Sequence, residues 1–359
     1  MKRVMRSKIL FLCILGVLLL SGCSRGQKEV VNVLNWSSYI PDSVVRDFEK
    51  ETGIQVNYST YSSNEECLAK VSSAKEGTYD LIFPSDYMIE IMINRGMLET
   101  LDKSQLENVE NVDSFYLNQS FDPSNQYSLP FVMASTVIAV NRDHITDEIT
   151  SYNDLLKEEY RNNITLIDDQ RIIIGMALLA NGYNMNTVNE EELAIAKDWL
   201  LRLKPNIKAF DSDSPKNFLI TEEADIAVLW NAEAALAYQK NHNIEFIYPV
   251  EGSALSMDNF AIPKGARHKE AAYQFIDYIL RGDVMNKIIE SYPYKNVNSK
   301  TQLLLGSDYI YNIASNIPTS IIEHGVYVEN IGEAVKLYDK LWAETVSYTH
   351  LTLPTILRV

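Results

Sequence analysis

The stretch VVNVLNWSSYIPDSVVRDFEKETGIQVNYST, residues 30–60, decides the fold class. Its first six residues read as an apolar strand. Pro41 and Asp42 then open a helix that carries Val44, Val45 and Phe48 on one face and stops at Gly53. Residues 54–60 alternate like a half-buried strand. Just beyond, Ser63 and Glu66 have capping-box spacing for a second helix. A third short strand is predicted over 79–84, and a helix over 87–94 that ends at Gly96. Strand and helix alternate throughout, which implies an α/β fold with a parallel sheet.

Working outward, the pattern changes near Tyr127. Residues 127–141 form a long apolar stretch containing Pro130, suited to a strand passing from one domain to another. A second α/β unit follows. It has a strand over 164–167, helices over 174–179 and 190–203 (the latter capped by Asn189), a strand over 224–230 and a helix from Ala232. Residues 257–263 are a second crossing candidate, and 269–280 an amphipathic helix ended by Arg281-Gly282. The expected organisation is two lobes, 29–137 with 256–303 and 138–255 with 304–345. A cleft between such lobes is a favoured ligand site, and hinge closure its usual motion.

The two ends read differently. Lys2, Arg3, Arg6 and Lys8 precede an apolar run over 9–20, then Leu20-Ser21-Gly22-Cys23. A charged start, a short apolar run and a small-residue site read as a secretory signal over 1–22. The run is shorter than the roughly 20 residues a spanning helix needs. Leu-Ser-Gly-Cys resembles the bacterial lipoprotein box, which implies cleavage before Cys23 and lipidation of its thiol. Residues 23–28 then form a lipidated linker. The expected location is extracytoplasmic, tethered to the cell membrane by lipid. At the other end, residues 346–355 are what a sequencing-library adapter encodes, so natural sequence is expected to stop near Thr345 and 346–359 to be a non-native tail.

The chain has 359 residues, 46% of them hydrophobic, enough for two cores. Its formal charge is −16, and loss of the four basic leader residues brings it to −20. That balance argues against nucleic acid and anionic lipid as direct partners and favours cations. Cys13 and Cys23 belong to the leader and the anchor, so Cys67 is expected to be a lone buried thiol. The five His residues have no zinc-site spacing, and neither a metal nor a cofactor is expected. No Gly-x-Gly, phosphate-binding loop or Gly-x-Ser-x-Gly elbow occurs. Asp168-Asp169 with Asp258 could be drawn as a hydrolase pair, but nothing local supports it. The chain reads as a binding protein, not an enzyme.

The residues that carry chemistry sit at predicted strand ends, where α/β proteins bind ligands. They are Trp36 and Tyr39, Ser85 and Tyr87, Asp169, Trp230 and Asp258. Carboxylates neutralise ammonium groups through charge-assisted hydrogen bonds. Ring faces attract cations, worth roughly 0.5–2 kcal/mol per contact. Together they suit an organic cation.

Several strings place the chain further: Asn35-Trp36-Ser37-Ser38-Tyr39-Ile40-Pro41, Tyr79-Asp80-Leu81-Ile82-Phe83-Pro84-Ser85-Asp86-Tyr87, Phe121-Asp122-Pro123, Met257-Asp258 and Ala261-Ile262-Pro263. Over about residues 30–344 the chain resembles the bacterial spermidine/putrescine-binding proteins of ABC importers. The resemblance implies a two-lobed type II periplasmic-binding-protein fold, a polyamine ligand, a membrane permease as partner and a monomer. It implies that Trp36, Tyr39, Ser85, Tyr87, Asp169, Trp230 and Asp258 contact ligand, with Tyr292 as a further aromatic contact. Three positions depart from the family pattern. Ile172 stands where an acidic amine ligand is usual, Ser256 where a Trp is usual, and Val328 where a Gln is usual. Glu233 either replaces the lost charge or faces solvent. A shorter diamine, a monocationic amine, another organic solute on the same fold, or a sensory role in place of import therefore stays open.

Overall fold

The computed structural model describes residues 29–212 and 214–346. The leader, Cys23 and its linker, and the tail from 347 lie outside the described residues.

Strand β1 (Val30–Trp36) pairs in parallel with β2 (Gln55–Tyr61), in register from Val30↔Gln55 to Trp36↔Tyr61. Helix α1 (Asp42–Thr52) makes the crossover and buries Val44 and Phe48. Gly53 ends it at φ 77°, a left-handed conformation that glycine adopts without Cβ strain. At the start of α2 (Asn64–Ser73), Ser63 accepts from the Glu66 N–H. The Glu66 carboxylate takes the N–H and hydroxyl of Ser62 instead of closing the predicted box on Ser63.

Strand β3 (Leu81–Ile82) is shorter than predicted. The carbonyl of the next residue, Phe83, accepts from the Trp36 indole and the Tyr61 hydroxyl, so side chains take the place of a ladder partner there. After β3 comes α3 (Asp86–Asn94). Two acidic residues of the quoted motifs hold this lobe together. Asp80 accepts from the Asn32 N–H and side-chain amide and from the N–H groups of Arg267 and His268. Asp122 accepts from the N–H groups of Gln126, Tyr127 and Ser128 and from the Ser128 hydroxyl. It thereby fixes the entry into the next strand.

That strand, β4 (Ser128–Asn141), is buried at all 14 positions. Beyond it lie β5 (Ile164–Leu166), β6 (Ile207–Phe210), β7 (Ile226–Trp230), β8 (Ile244–Ile247) and β9 (Ala254–Ala261). Residues Ser128 to Ser135 of β4 pair with β9 in the first sheet. Residues from Thr136 onward pair with β7 and β8 in the second. One strand thus belongs to both sheets, as its unbroken apolar run predicts. The other crossing candidate differs. β9 starts at Ala254 and pairs with first-sheet strands throughout, so the chain returns in the connection between β8 and β9. Short strands β10 (Lys295–Asn296) and β11 (Val326–Tyr327) extend β4 and β9.

Helix α4 (Gln170–Ala180) starts four residues earlier than predicted, because the Asp169 side chain caps it. Helix α5 (Glu190–Leu203) begins after Asn189 as expected. Two short helices, α6 (Lys216–Ile220) and α7 (Asn231–Tyr238), flank β7. Helix α8 (Lys269–Leu280) ends where predicted, but Gly282 opens a further helix, α9 (Gly282–Ser291). The fold is mixed α/β; one buried cluster packs α1, α8 and α9 on the first sheet, and a larger one runs from the second sheet to Leu34, Ile82 and Ala261 of the first. Among the described residues no helix is long and apolar enough to cross a membrane.

Candidate functional site

One cavity opens where the strand ends of the two sheets converge on β4. Asp258 lies in its wall, 2% exposed. Its two oxygens accept from the Tyr39 hydroxyl at 2.7 Å and the Ser85 hydroxyl at 2.6 Å. Ser85 is itself held by Asn64, whose amide donates to the Ser85 Oγ at 3.0 Å and accepts its N–H at 3.1 Å. Burial pushes the Asp258 carboxyl up to about 6, with the two hydroxyl bonds opposing it. Among the described residues no side-chain cation pairs with it. A buried carboxylate supported only by neutral donors is costly in its charged form and favours an incoming cation.

Aromatic rings cover one side. Trp36 is the last residue of β1, and its indole donates to the Phe83 carbonyl at 2.9 Å. Its ring stacks with Tyr39 at 6.1 Å and lies tilted against Tyr61 at 4.6 Å. Tyr39 packs on Tyr294 at 4.7 Å. Burial and the Asp258 charge hold the Tyr39 hydroxyl protonated, so it stays a donor. Trp230 ends β7 and faces the same space from the second sheet.

The far end belongs to α4. The Asp169 side chain accepts from the N–H groups of Arg171 and Ile172. Burial first, and then the Glu65 charge, raise it to about 6. Arg171 is 4% exposed. Its Nη2 donates to Asn186 Oδ1 and to the Glu329 carbonyl, both at 3.0 Å. The guanidinium lies 5.8 Å over the Tyr87 ring, linking α4 to α3 across the cavity. Tyr87 donates to Glu65 at 3.1 Å.

The family model for bacterial extracellular solute-binding proteins matches residues 43–310. This chain belongs to that family. An Escherichia coli K12 spermidine/putrescine-binding periplasmic protein is 38% identical over 309 residues, 86% of this chain and 89% of its own. A Listeria monocytogenes structure, provisionally assigned to a spermidine/putrescine ABC transporter, aligns with TM-score 0.86 at 32% identity, covering 89% of this chain and 99% of that one. The TpPotD lipoprotein of Treponema pallidum aligns with TM-score 0.80 at 28% identity, over 88% and 99%. The two-lobed fold follows, and the chain stands among transport solute-binding proteins rather than enzymes.

In this solute-binding protein the structure brings seven of the eight predicted residues to one cavity: Trp36, Tyr39, Ser85, Tyr87, Asp169, Trp230 and Asp258. Tyr292 is the exception, and Tyr294 lines the cavity instead. The Tyr294 N–H bonds back to the Tyr292 carbonyl at 2.8 Å, a tight turn around Pro293 that separates the two rings. The three departures from the family pattern, Ile172, Ser256 and Val328, all line the cavity. Glu233 does not face solvent. It is 9% exposed, lines the cavity and pairs with Lys216.

Sequence reasoning missed Arg171, Asn64 and Tyr294. Arginine in a first helical turn ordinarily reads as a solvated residue, and here Asn186, the Glu329 carbonyl and the rings of Tyr87 and Tyr338 enclose it. Asn64 is the first residue of α2, and its side chain also supports Ser85. Among the described residues no cluster of His, Cys, Asp or Glu suits a metal ion. Cys67 is buried, and burial pushes its thiol up to about 12, far from a reactive thiolate.

Proposed function

We propose that this solute-binding protein captures a polyamine, spermidine or putrescine, and delivers it to the permease of an ABC importer. The observation that carries the reading is Asp258: a buried carboxylate with two hydroxyl donors, rings beside it and no paired cation among the described residues. Trp36, Tyr39, Tyr87 and Trp230 cover the methylenes. Asp169 receives a terminal amine at the other end, and Ser85 orients the group on Asp258. Relatives named for spermidine and putrescine binding support this choice of ligand.

The lobes that close on the ligand are 29–137 with 256–303 and 138–255 with 304–345. The mature protein is a monomer held in the periplasm or at the outer face of the cytoplasmic membrane by lipid on Cys23. A lipoprotein among the structural neighbours supports that anchoring.

A second reading keeps the fold and changes the solute. Ile172, Ser256 and Val328 in the lining favour it, since they remove polar and aromatic partners from the wall. Calorimetric titration of residues 24–345 decides between the two. The protein is unfolded and refolded first to strip carried-over ligand, then titrated with spermidine, putrescine and cadaverine. Micromolar or tighter binding of one amine supports the polyamine reading and ranks the ligands. No heat and no thermal stabilisation by any of them moves the assignment to another solute.

A further inference from the structure

Tyr294 lines the ligand cavity, yet the chain around it has few partners of its own. It follows the turn at Pro293 and precedes β10, a two-residue strand that among the described residues pairs only with β4. Its N–H is held by the Tyr292 carbonyl. The Tyr294 carbonyl and the Asn296 N–H leave the chain on the same side, away from β4, where no further strand lies. Buried backbone groups of this kind need partners from elsewhere.

A single hydroxyl answers both. Tyr309 accepts from the Asn296 N–H at 2.8 Å and donates to the Tyr294 carbonyl at 2.9 Å. It thereby stands in for one residue of a neighbouring strand, which a hydroxyl can do because it is donor and acceptor at once. Both bonds are buried, and burial keeps the hydroxyl protonated. Tyr309 comes from the short helix Ser307–Ile310. It does not line the ligand cavity, and its ring borders a separate groove.

The effect runs inward through Tyr294. That ring packs on Tyr39 at 4.7 Å, and Tyr39 donates to Asp258 at 2.7 Å. With its N–H and carbonyl both tied, the Tyr294 backbone has one orientation, and its ring stays beside Tyr39. With the carbonyl released, only the bond to Tyr292 holds the residue, and the ring is free to leave the wall.

We propose that Tyr309 is a positioning residue of the ligand site. Its hydroxyl fixes the Tyr294 backbone, and the Tyr294 ring in turn keeps the Tyr39 hydroxyl on the Asp258 carboxylate. Tyr309 itself touches no ligand. This rests on the polyamine reading above and adds to it a residue from outside the cavity.

The test titrates spermidine and putrescine into the full-length protein and into Tyr309→Phe, Tyr311→Phe, Tyr294→Leu and the double variant Tyr309→Phe/Tyr294→Leu. Tyr309→Phe removes the hydroxyl and keeps the ring. Tyr311, 84% exposed, is the control. Expected is a loss of about threefold to tenfold in affinity for Tyr309→Phe, in line with the loss of neutral hydrogen bonds, and no loss for Tyr311→Phe. In the Tyr294→Leu background the same change is expected to shift affinity by less than about twofold, because the ring it positions is gone. The melting temperature still falls there, because the Asn296 N–H has lost its acceptor. Unchanged affinity in Tyr309→Phe overturns the proposal. So does an equal loss of affinity in both backgrounds, which makes the hydroxyl a general support of the fold. If Tyr294→Leu does not fold, Tyr309→Phe against Tyr311→Phe decides alone, and equal affinities overturn the role. A parent that binds neither amine overturns the polyamine reading itself, a result distinct from tight binding that ignores Tyr309.

Discussion

Tyr39 and Asp258 stand 219 residues apart in the chain, and a 2.7 Å hydrogen bond joins them in the cavity wall. Tyr39 follows β1, and Asp258 lies within β9, on the far side of β3. The bond therefore exists only when both sheet neighbours are in place. It leaves a carboxylate that is oriented, buried and short of a counter-charge.

Asp258→Asn is expected to weaken polyamine binding by about 2–5 kcal/mol, since it leaves one ligand ammonium buried and unpaired. Calorimetry on the refolded variant reads it directly. Binding as tight as the parent's would remove Asp258 from the role of anchor.

Trp230→Ala is expected to cost about 1–2 kcal/mol of binding through lost ring–cation contact. The same titration separates this from a packing role. A dissociation constant equal to the parent's, with a lowered melting temperature, would place Trp230 in the core alone.

Asp258 and Asp169 both have carboxyls raised to about 6 by burial. A raised acid holds its proton in the folded protein where the unfolded chain has lost it. Between about pH 4 and pH 6 the folded state thus binds more protons, and ligand-free stability from these two groups falls as pH rises. A cationic ligand needs both groups ionised. The rise in melting temperature caused by spermidine is therefore expected to be larger at pH 7.5 than at pH 5. Equal shifts at both pH values would mean that neither carboxylate meets the ligand's charge.

Ile172→Glu restores an acid at the departed position, beside Asp169. It is expected to favour spermidine over putrescine by about tenfold relative to the parent, because the triamine has a further ammonium to place. Paired titrations give the ratio. An unchanged ratio would show that the Ile172 end of the cavity does not set ligand length.

Asp122→Ala is expected to lower stability by about 2–4 kcal/mol without touching the site, since several buried donors at the start of β4 lose their acceptor. A thermal melt reads the effect. A melting temperature within a degree of the parent's would mean that water replaces the carboxylate there.

Much of the fold was legible because its signals are local. The α1 pattern, the Gly53 stop and the alternation of β2 each depend on a few neighbouring residues. The 14-residue buried run of β4 marked the strand common to both sheets. The errors arose where distant segments took over. β3 is cut short by side chains from β1 and β2. Asp169 looked like a strand-end residue, and it also caps α4. Tyr292 and Tyr294 were indistinguishable until the turn at Pro293 chose between them.

The sequence by itself determined the alternation of elements, the acidic balance, the buried thiol of Cys67 and the strand ends at which Trp36, Ser85 and Trp230 sit, whereas Asp258, expected to open its strand, lies in the middle of β9. These follow from periodicity, composition and short motifs, which need no knowledge of partners far along the chain. Only the tertiary structure decided that Glu233 and Arg171 turn inward, that Tyr294 rather than Tyr292 lines the cavity, and that Ile172, Ser256 and Val328 line it together. Burial and charge compensation are properties of residues brought together from separate segments. A charged side chain read along the chain looks solvated until a distant element closes over it.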